Sequence, residues 1–225
     1  MEREYTISTK DTSSRTSDAV RSIYRDGKLF DGIVVHHGKT INIQCVTMAS
    51  KSEFFRAAFC RWQNDTKSPC ITIDHNLPKE CVTKLVDWAH TGELSVLRSE
   101  LQTMLGAADQ LGFVNLLADL GGLLAETVTE ENCVDMLEVA ARFHCRHDVP
   151  LDLLTANVTE TIAFNWHRLT KEESNALVDI SYRAMDTLLG SEELHTVSEI
   201  CIYELLVEWY AKHPSADFTS LLRHI

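Results

Sequence analysis

The apolar positions change period several times along the chain. In the polar opening, residues 1–15, Tyr5 and Ile7 alternate with Thr6 and Ser8. This reads as a flexible arm holding a short strand that pairs only in a complex. From Thr16 the spacing turns helical. Val20, Ile23 and Tyr24 fall at i, i+3 and i+4 behind Thr16-Ser17-Asp18, which predicts a short amphipathic helix to Arg25. A β-branched run, Ile33-Val34-Val35, then a turn at His37-Gly38-Lys39, then Ile41 and Ile43 alternating with Asn42 and Gln44, predict a hairpin. Val46 to Phe59, crowded with Met48, Phe54 and Phe55, predicts a helix. A polar loop from Arg61 to Pro69 follows, then a third strand, Cys70 to Asp74, with Ile71 and Ile73 on one face. Pro78 suits the first turn of the next helix, which carries Cys81, Leu85, Trp88 and Ala89 to a stop at Gly92.

Beyond Gly92 the pattern predicts helices and no strand. Leu101, Met104, Leu105 and Ala108 sit at i, i+3, i+4 and i+7, and Phe113, Leu116, Leu117 and Leu120 repeat the spacing. Cys133, Met136, Leu137, Ala140 and Ala141 give it again, as do Ile202, Leu205, Leu206, Trp209 and Tyr210. Thr170 with Glu173, and Thr196 with Glu199, have the spacing of capping boxes and mark two expected helix starts. Gly121-Gly122, inside a leucine-rich stretch, marks a close helix contact or a break. The expected organisation is an arm at 1–15, a mixed α+β module at 16–126 with a small sheet and helices, and an all-α module at 127–225.

Charge narrows the partners. The net charge is −12 over 225 residues, so the surface repels phosphate backbones and anionic lipid, and neither nucleic acid nor a membrane surface is expected as a partner. No apolar run approaches the roughly 20 residues that span a bilayer. The first 15 residues lack the apolar core of a secretory signal, so cytosol or nucleus is the expected compartment. Seven scattered cysteines, an odd number, do not form a disulfide framework pattern.

The ordered set of motifs resembles a known family. Leu29-Phe30-Asp31, the hairpin, and Ser52-Glu53-Phe54-Phe55-Arg56-Ala57-Ala58-Phe59 resemble the opening of a BTB/POZ domain. Leu85 to Gly92 and Ala107-Ala108-Asp109-Gln110-Leu111 resemble its later helices. Glu131-Asn132-Cys133 leading to Ala140-Ala141-Arg142-Phe143-His144-Cys145 is similar to the start of a BACK domain, and Ser198-Glu199 through Glu208-Trp209 to its late helix. Together they resemble the BTB-BACK region of the Kelch-like adaptors of cullin-3 ubiquitin ligases.

That resemblance implies a non-enzymatic adaptor without cofactor. It implies a homodimer formed largely through the first helix, with Val20, Ile23, Tyr24 and Leu29 at the interface. The same apolar stripe read by itself also allows packing on its own domain. The resemblance further implies a cullin-3 surface in the loop after Phe59, and a substrate protein that the sequence does not identify.

Three departures bear on this. The family's hydrophobic-x-Glu loop motif is replaced by Trp62-Gln63-Asn64-Asp65, with Gln63 in the hydrophobic slot and Asp65 in the acidic one. A one-residue shift lets Trp62 insert into a partner groove with Asp65 as the acid; folding back onto the domain is the other reading. His90 stands where relatives often have tyrosine, and Gln44-Cys45 where many have histidine. No kelch repeats follow within these residues, which leaves a fragment or a propeller-less competitor as expectations. The runner-up function is a dimerisation scaffold for transcriptional or cytoskeletal partners that does not bind cullin.

Chemistry-bearing residues point elsewhere than to catalysis. His144-Cys145-Arg146-His147 has the donor types for zinc, but adjacent ligands at a helix end rarely converge, and no metal site is expected. No surrounding motif supports a Cys-His nucleophile pair, and no Gly-rich phosphate loop occurs.

Overall fold

The computed structural model describes residues 3–8, 14–61, 69–73, 76–144, 151–171 and 175–224, with backbone only at 14–17, 144 and 171. The chain divides into two compact units, Met1–Leu120 and Gly121–Ile225.

The first unit is α+β. Strand β1 (Glu4–Ser8) precedes helix α1 (Ser14–Arg25), strands β2 (Gly32–His36) and β3 (Lys39–Ile43), and helices α2 (Cys45–Lys51) and α3 (Glu53–Cys60). Strand β4 (Cys70–Thr72), helix α4 (Lys79–Thr91), strand β5 (Glu93–Leu97) and helices α5 (Leu101–Gln110) and α6 (Val114–Ala125) complete it, α6 running past the division. β2 lies centrally, antiparallel to β3 and parallel to β4, while β1 and β5 form a separate antiparallel pair. The β2–β3 turn needs positive φ at both central positions, and His37 (φ 48) and Gly38 (φ 72) supply it. Asp31 accepts from the Cys45 backbone N–H at 2.6 Å, capping α2 from a distant segment.

The core is filled by large apolar side chains without solvent exposure. Phe55, Trp88 and Phe113 form its centre; Trp88 meets Phe113 edge-on at 5.7 Å and Phe55 lies 6.2 Å from Phe113. Each such burial contributes on the order of 1.5–3 kcal/mol. Buried His36 has one ring nitrogen 3.0 Å from the Ile73 carbonyl and the other 3.0 Å from the Leu77 carbonyl, and the single N–H of a neutral ring donates to one of the two.

Three expectations are corrected here. The arm's strand pairs within the chain, Tyr5 against Val96 and Ile7 against Leu94, with all four side chains buried. Its partner β5 lies in the stretch expected to be free of strands. The apolar run from Val46 to Phe59 forms two helices, because Ser52 is extended (φ −133, ψ 125). Ser52 accepts from Phe55 N–H at 3.1 Å as the cap of α3, and its hydroxyl donates to the Leu111 carbonyl at 2.6 Å.

The regular elements among the described residues of the second unit are helices: α7 (Cys133–His144), α8 (Asp152–Phe164), α9 (Trp166–Lys171), α10 (Tyr182–Leu189), α11 (Glu199–Lys212) and α12 (Phe218–Leu222), with short 3-10 turns between them. Asn132 closes the turn before α7: its carbonyl oxygen accepts from Thr129 N–H at 2.7 Å and its amide donates to the Thr127 carbonyl at 3.0 Å. Ser181 caps α10, accepting from Ala184 N–H at 3.2 Å and donating to Glu138 at 2.8 Å. α7 packs on α8 and α10, and Trp209 of α11 donates its indole N–H to the Ile180 carbonyl at 2.8 Å. Gly121 is a close contact as expected, since the Leu151 side chain occupies the space a Cβ would take.

Neither threonine of the expected capping boxes stands at a helix start, and Glu173, the expected partner of Thr170, lies outside the described residues. Thr170 lies within α9 and donates to the Trp166 carbonyl at 2.9 Å. Thr196 ends a short 3-10 turn and donates to Glu193, and the residue at the cap of α11 is Ser198.

Candidate interaction surfaces

The first candidate surface is built on α1. Its four sequence-predicted residues divide into two environments. Tyr24 turns into its own unit: the phenol donates to Asp87 Oδ1 at 2.6 Å, and the ring stacks on His90 at 4.1 Å and 13°. Phe30 meets the same ring edge-on at 5.8 Å. Partial burial, and then the Asp87 carboxylate, push the Tyr24 phenol well above its ordinary value. Arg25 reaches Glu93 at 3.2 Å, an exposed pair of small energetic weight. Val20 and Ile23 are half-buried, and Leu29 is 75% exposed with a left-handed φ of 56°.

A bulky leucine in that backbone region is strained, by about 1–3 kcal/mol. A second exposed apolar residue was not among the expected interface residues. Val46, in the first turn of α2, is 79% exposed. The Asp31–Cys45 bond ties the segment carrying Leu29 to the helix carrying Val46. In the first unit, Leu29 and Val46 are the exposed large apolar side chains among the described residues. The available sequence sign was Asp31, an Asx cap aimed at a helix start fourteen residues later.

The second candidate surface follows α3. Phe59 is half-buried and leans on Phe55 at 6.0 Å, and Cys60 and Arg61 are exposed. Trp62, Gln63 and Asp65 lie outside the described residues.

Among the described residues, the thiols whose pKa is shifted are all shifted upward. Burial, then the Asp31 carboxylate, pushes the Cys45 thiol up to about 12, and burial raises Cys81 and Cys133. A reactive thiol needs the opposite shift. Among the described residues no group of three or more His, Cys, Asp or Glu is arranged for a metal ion. The His144 side chain and residues 145–147 lie outside that description. No described helix is long and apolar enough to cross a membrane.

Comparison with known proteins agrees with this architecture. Residues 21–127 match the BTB/POZ domain family. The chain is 23% identical over 198 residues to human Kelch-like protein 6, covering 88% of this chain and 30% of that protein. It is 20% identical over 205 residues to Kelch-like protein 8 of Caenorhabditis elegans, covering 91% and 28%. Against Kelch-like protein 22 of Xenopus tropicalis it is 25% identical over 198 residues, covering 87% and 30%. The chain thus spans under a third of the length of these relatives. Residues 21–127 carry the likeness to a BTB/POZ domain, a helical unit follows in sequence, and over most of its length the chain is similar to Kelch-like proteins.

Proposed function

We propose that this chain is a non-enzymatic protein–protein adaptor that forms a homodimer through the α1 face and offers the loop after α3 to cullin-3. The observation that carries the dimer is the exposure of both Leu29 and Val46. Two large apolar side chains, each about three-quarters exposed, flank one hydrogen-bonded junction while α1 is already anchored by Tyr24. Anchoring α1 fixes the orientation of its half-buried Val20 and Ile23, so a second copy meets a preorganised surface. Removing Leu29 and Val46 from water supplies the drive for association.

The cullin-3 part rests on family likeness and on Trp62 and Asp65 in the loop, and a substrate protein of unidentified kind completes the adaptor's role. The expected setting is cytosol or nucleus. The test of the dimer is molar mass by light scattering at several concentrations. A dimer that Leu29→Asp converts to a folded monomer supports the reading, whereas a parent chain that is monomeric at every concentration contradicts it.

A further inference from the structure

The acid of this chain is unevenly shared. Residues 1–120 carry 15 Asp and Glu against 14 Lys and Arg, whereas residues 121–225 carry 18 against 7. Nearly all of the net charge therefore belongs to the helical unit, and α11 shows where it matters. One face of α11 buries Ile202, Leu205, Leu206 and Trp209. The opposite face exposes Ile200, Tyr203 and Val207 (70%, 50% and 45%), an i, i+3, i+7 stripe about two turns long.

Glutamates border the stripe, exposed Glu204 and Glu208 along one side and Glu199 at the N-terminal end of the other. The single base of the helix, Lys212, is held by Asp179 at 2.8 Å, and no ion pair engages Glu199 or Glu204 among the described residues. At the Glu199 end a cavity of about 270 Å³ opens, with Leu194 and Val197 among its walls and Glu192, Glu199, His195 and His224 also lining it. An apolar barrel with acids suits a Lys or Arg side chain, whose methylene stem packs while its charge meets carboxylate.

We propose that the exposed face of α11, with the cavity at its N-terminal end, docks a cationic amphipathic helix of a partner protein. Charge selects that occupant. A second copy would set Glu199, Glu204 and Glu208 against their own counterparts, and nucleic acid or anionic lipid would meet like charge. An apolar stripe rimmed by acid is complemented by a helix with an apolar stripe rimmed by base. This surface is independent of the α1 face and of the loop after α3, so either reading can fail without the other.

The test uses the full chain and a fluorescent 18-residue helical peptide of Leu and Lys with one leucine face. A scrambled Leu/Lys peptide and a Leu/Glu peptide serve as controls. Anisotropy should show saturable binding of the amphipathic cationic peptide, weakening as salt is raised, with both controls at least about tenfold weaker. Ile200→Ser/Val207→Ser and, separately, Glu204→Lys/Glu208→Lys should each lower affinity about tenfold. The methyl resonances of Ile200 and Val207 should move on titration.

Absence of binding, equal binding of the scrambled peptide, equal binding by both variants, or unmoved methyls would overturn the proposal. So would self-association abolished by Ile200→Asp, which would assign the face to a second copy.

Discussion

Tyr24 and His90 are stacked face to face, 4.1 Å between ring centroids, so that α1 is held on α4 by an aromatic pair joined to a phenol–carboxylate bond with Asp87. The imidazole is committed on both edges. Its Nδ1–H donates to the Val86 carbonyl at 2.8 Å, and its Nε2 accepts from the Gln44 backbone N–H at 3.1 Å. Only the neutral ring satisfies both bonds, because protonated Nε2 would face another N–H.

A pH dependence follows. Burial lowers the His90 pKa below 6.5, outweighing the opposing pull of the Val86 carbonyl, Asp87 and Asp31. The unfolded chain then binds the proton more readily than the folded one. The stabilisation is complete above about pH 6.5 and is lost as pH falls through the folded value. Urea denaturation at pH 7.5 and 5.5 should show a larger loss for the parent than for His90→Gln. Equal losses would remove the histidine from the account.

Tyr24→Phe keeps the stack and deletes the bond to Asp87. Because Asp87 is exposed, the cost should lie near 1 kcal/mol, read as a lower thermal midpoint. An unchanged midpoint would mean that the phenol does not hold α1.

Ser52→Ala removes a helix cap and the partner of the Leu111 carbonyl at once. Ser52 is buried, so the expected loss is about 1–2 kcal/mol by denaturant titration, with far-UV helicity retained.

Thiol reactivity should divide by environment. Iodoacetamide at pH 8, with peptide mass mapping, should label exposed Cys60 and Cys70 before Cys45, Cys81 and Cys133, whose pKa values are raised chiefly by burial. Early labelling of Cys45 would contradict a thiol kept protonated by burial and the Asp31 carboxylate.

The elements that local pattern could reveal were those whose spacing and stop residues agree. The hairpin, α4 ending at Gly92, and the helices around Leu101, Leu116, Leu137 and Leu205 belong here. What escaped depends on distant partners. Glu93 to Leu97 alternates well, yet β5 is a strand only because β1 arrives from the other end of the unit. Ser52 divides the Val46–Phe59 stretch into two helices, and its hydroxyl is accepted by the Leu111 carbonyl 59 residues away.

The α1 stripe was visible at Val20, Ile23 and Tyr24. Tyr24's turn toward Asp87 and His90, 63 and 66 positions later, was not. Val46 escaped because a lone apolar residue in a helix's first turn looks like core until its exposure is known. Thr170 and Thr196 had the right spacing for caps, but helical turns already enclosed them.

The adaptor account is tested most directly by calorimetric titration of the whole chain with the N-terminal domain of cullin-3, beside a Trp62→Ala/Asp65→Ala variant. The account predicts saturable binding by the parent and its loss in a variant that stays folded and dimeric. A folded, dimeric parent that releases no binding heat, or a variant that binds as the parent does, would contradict it.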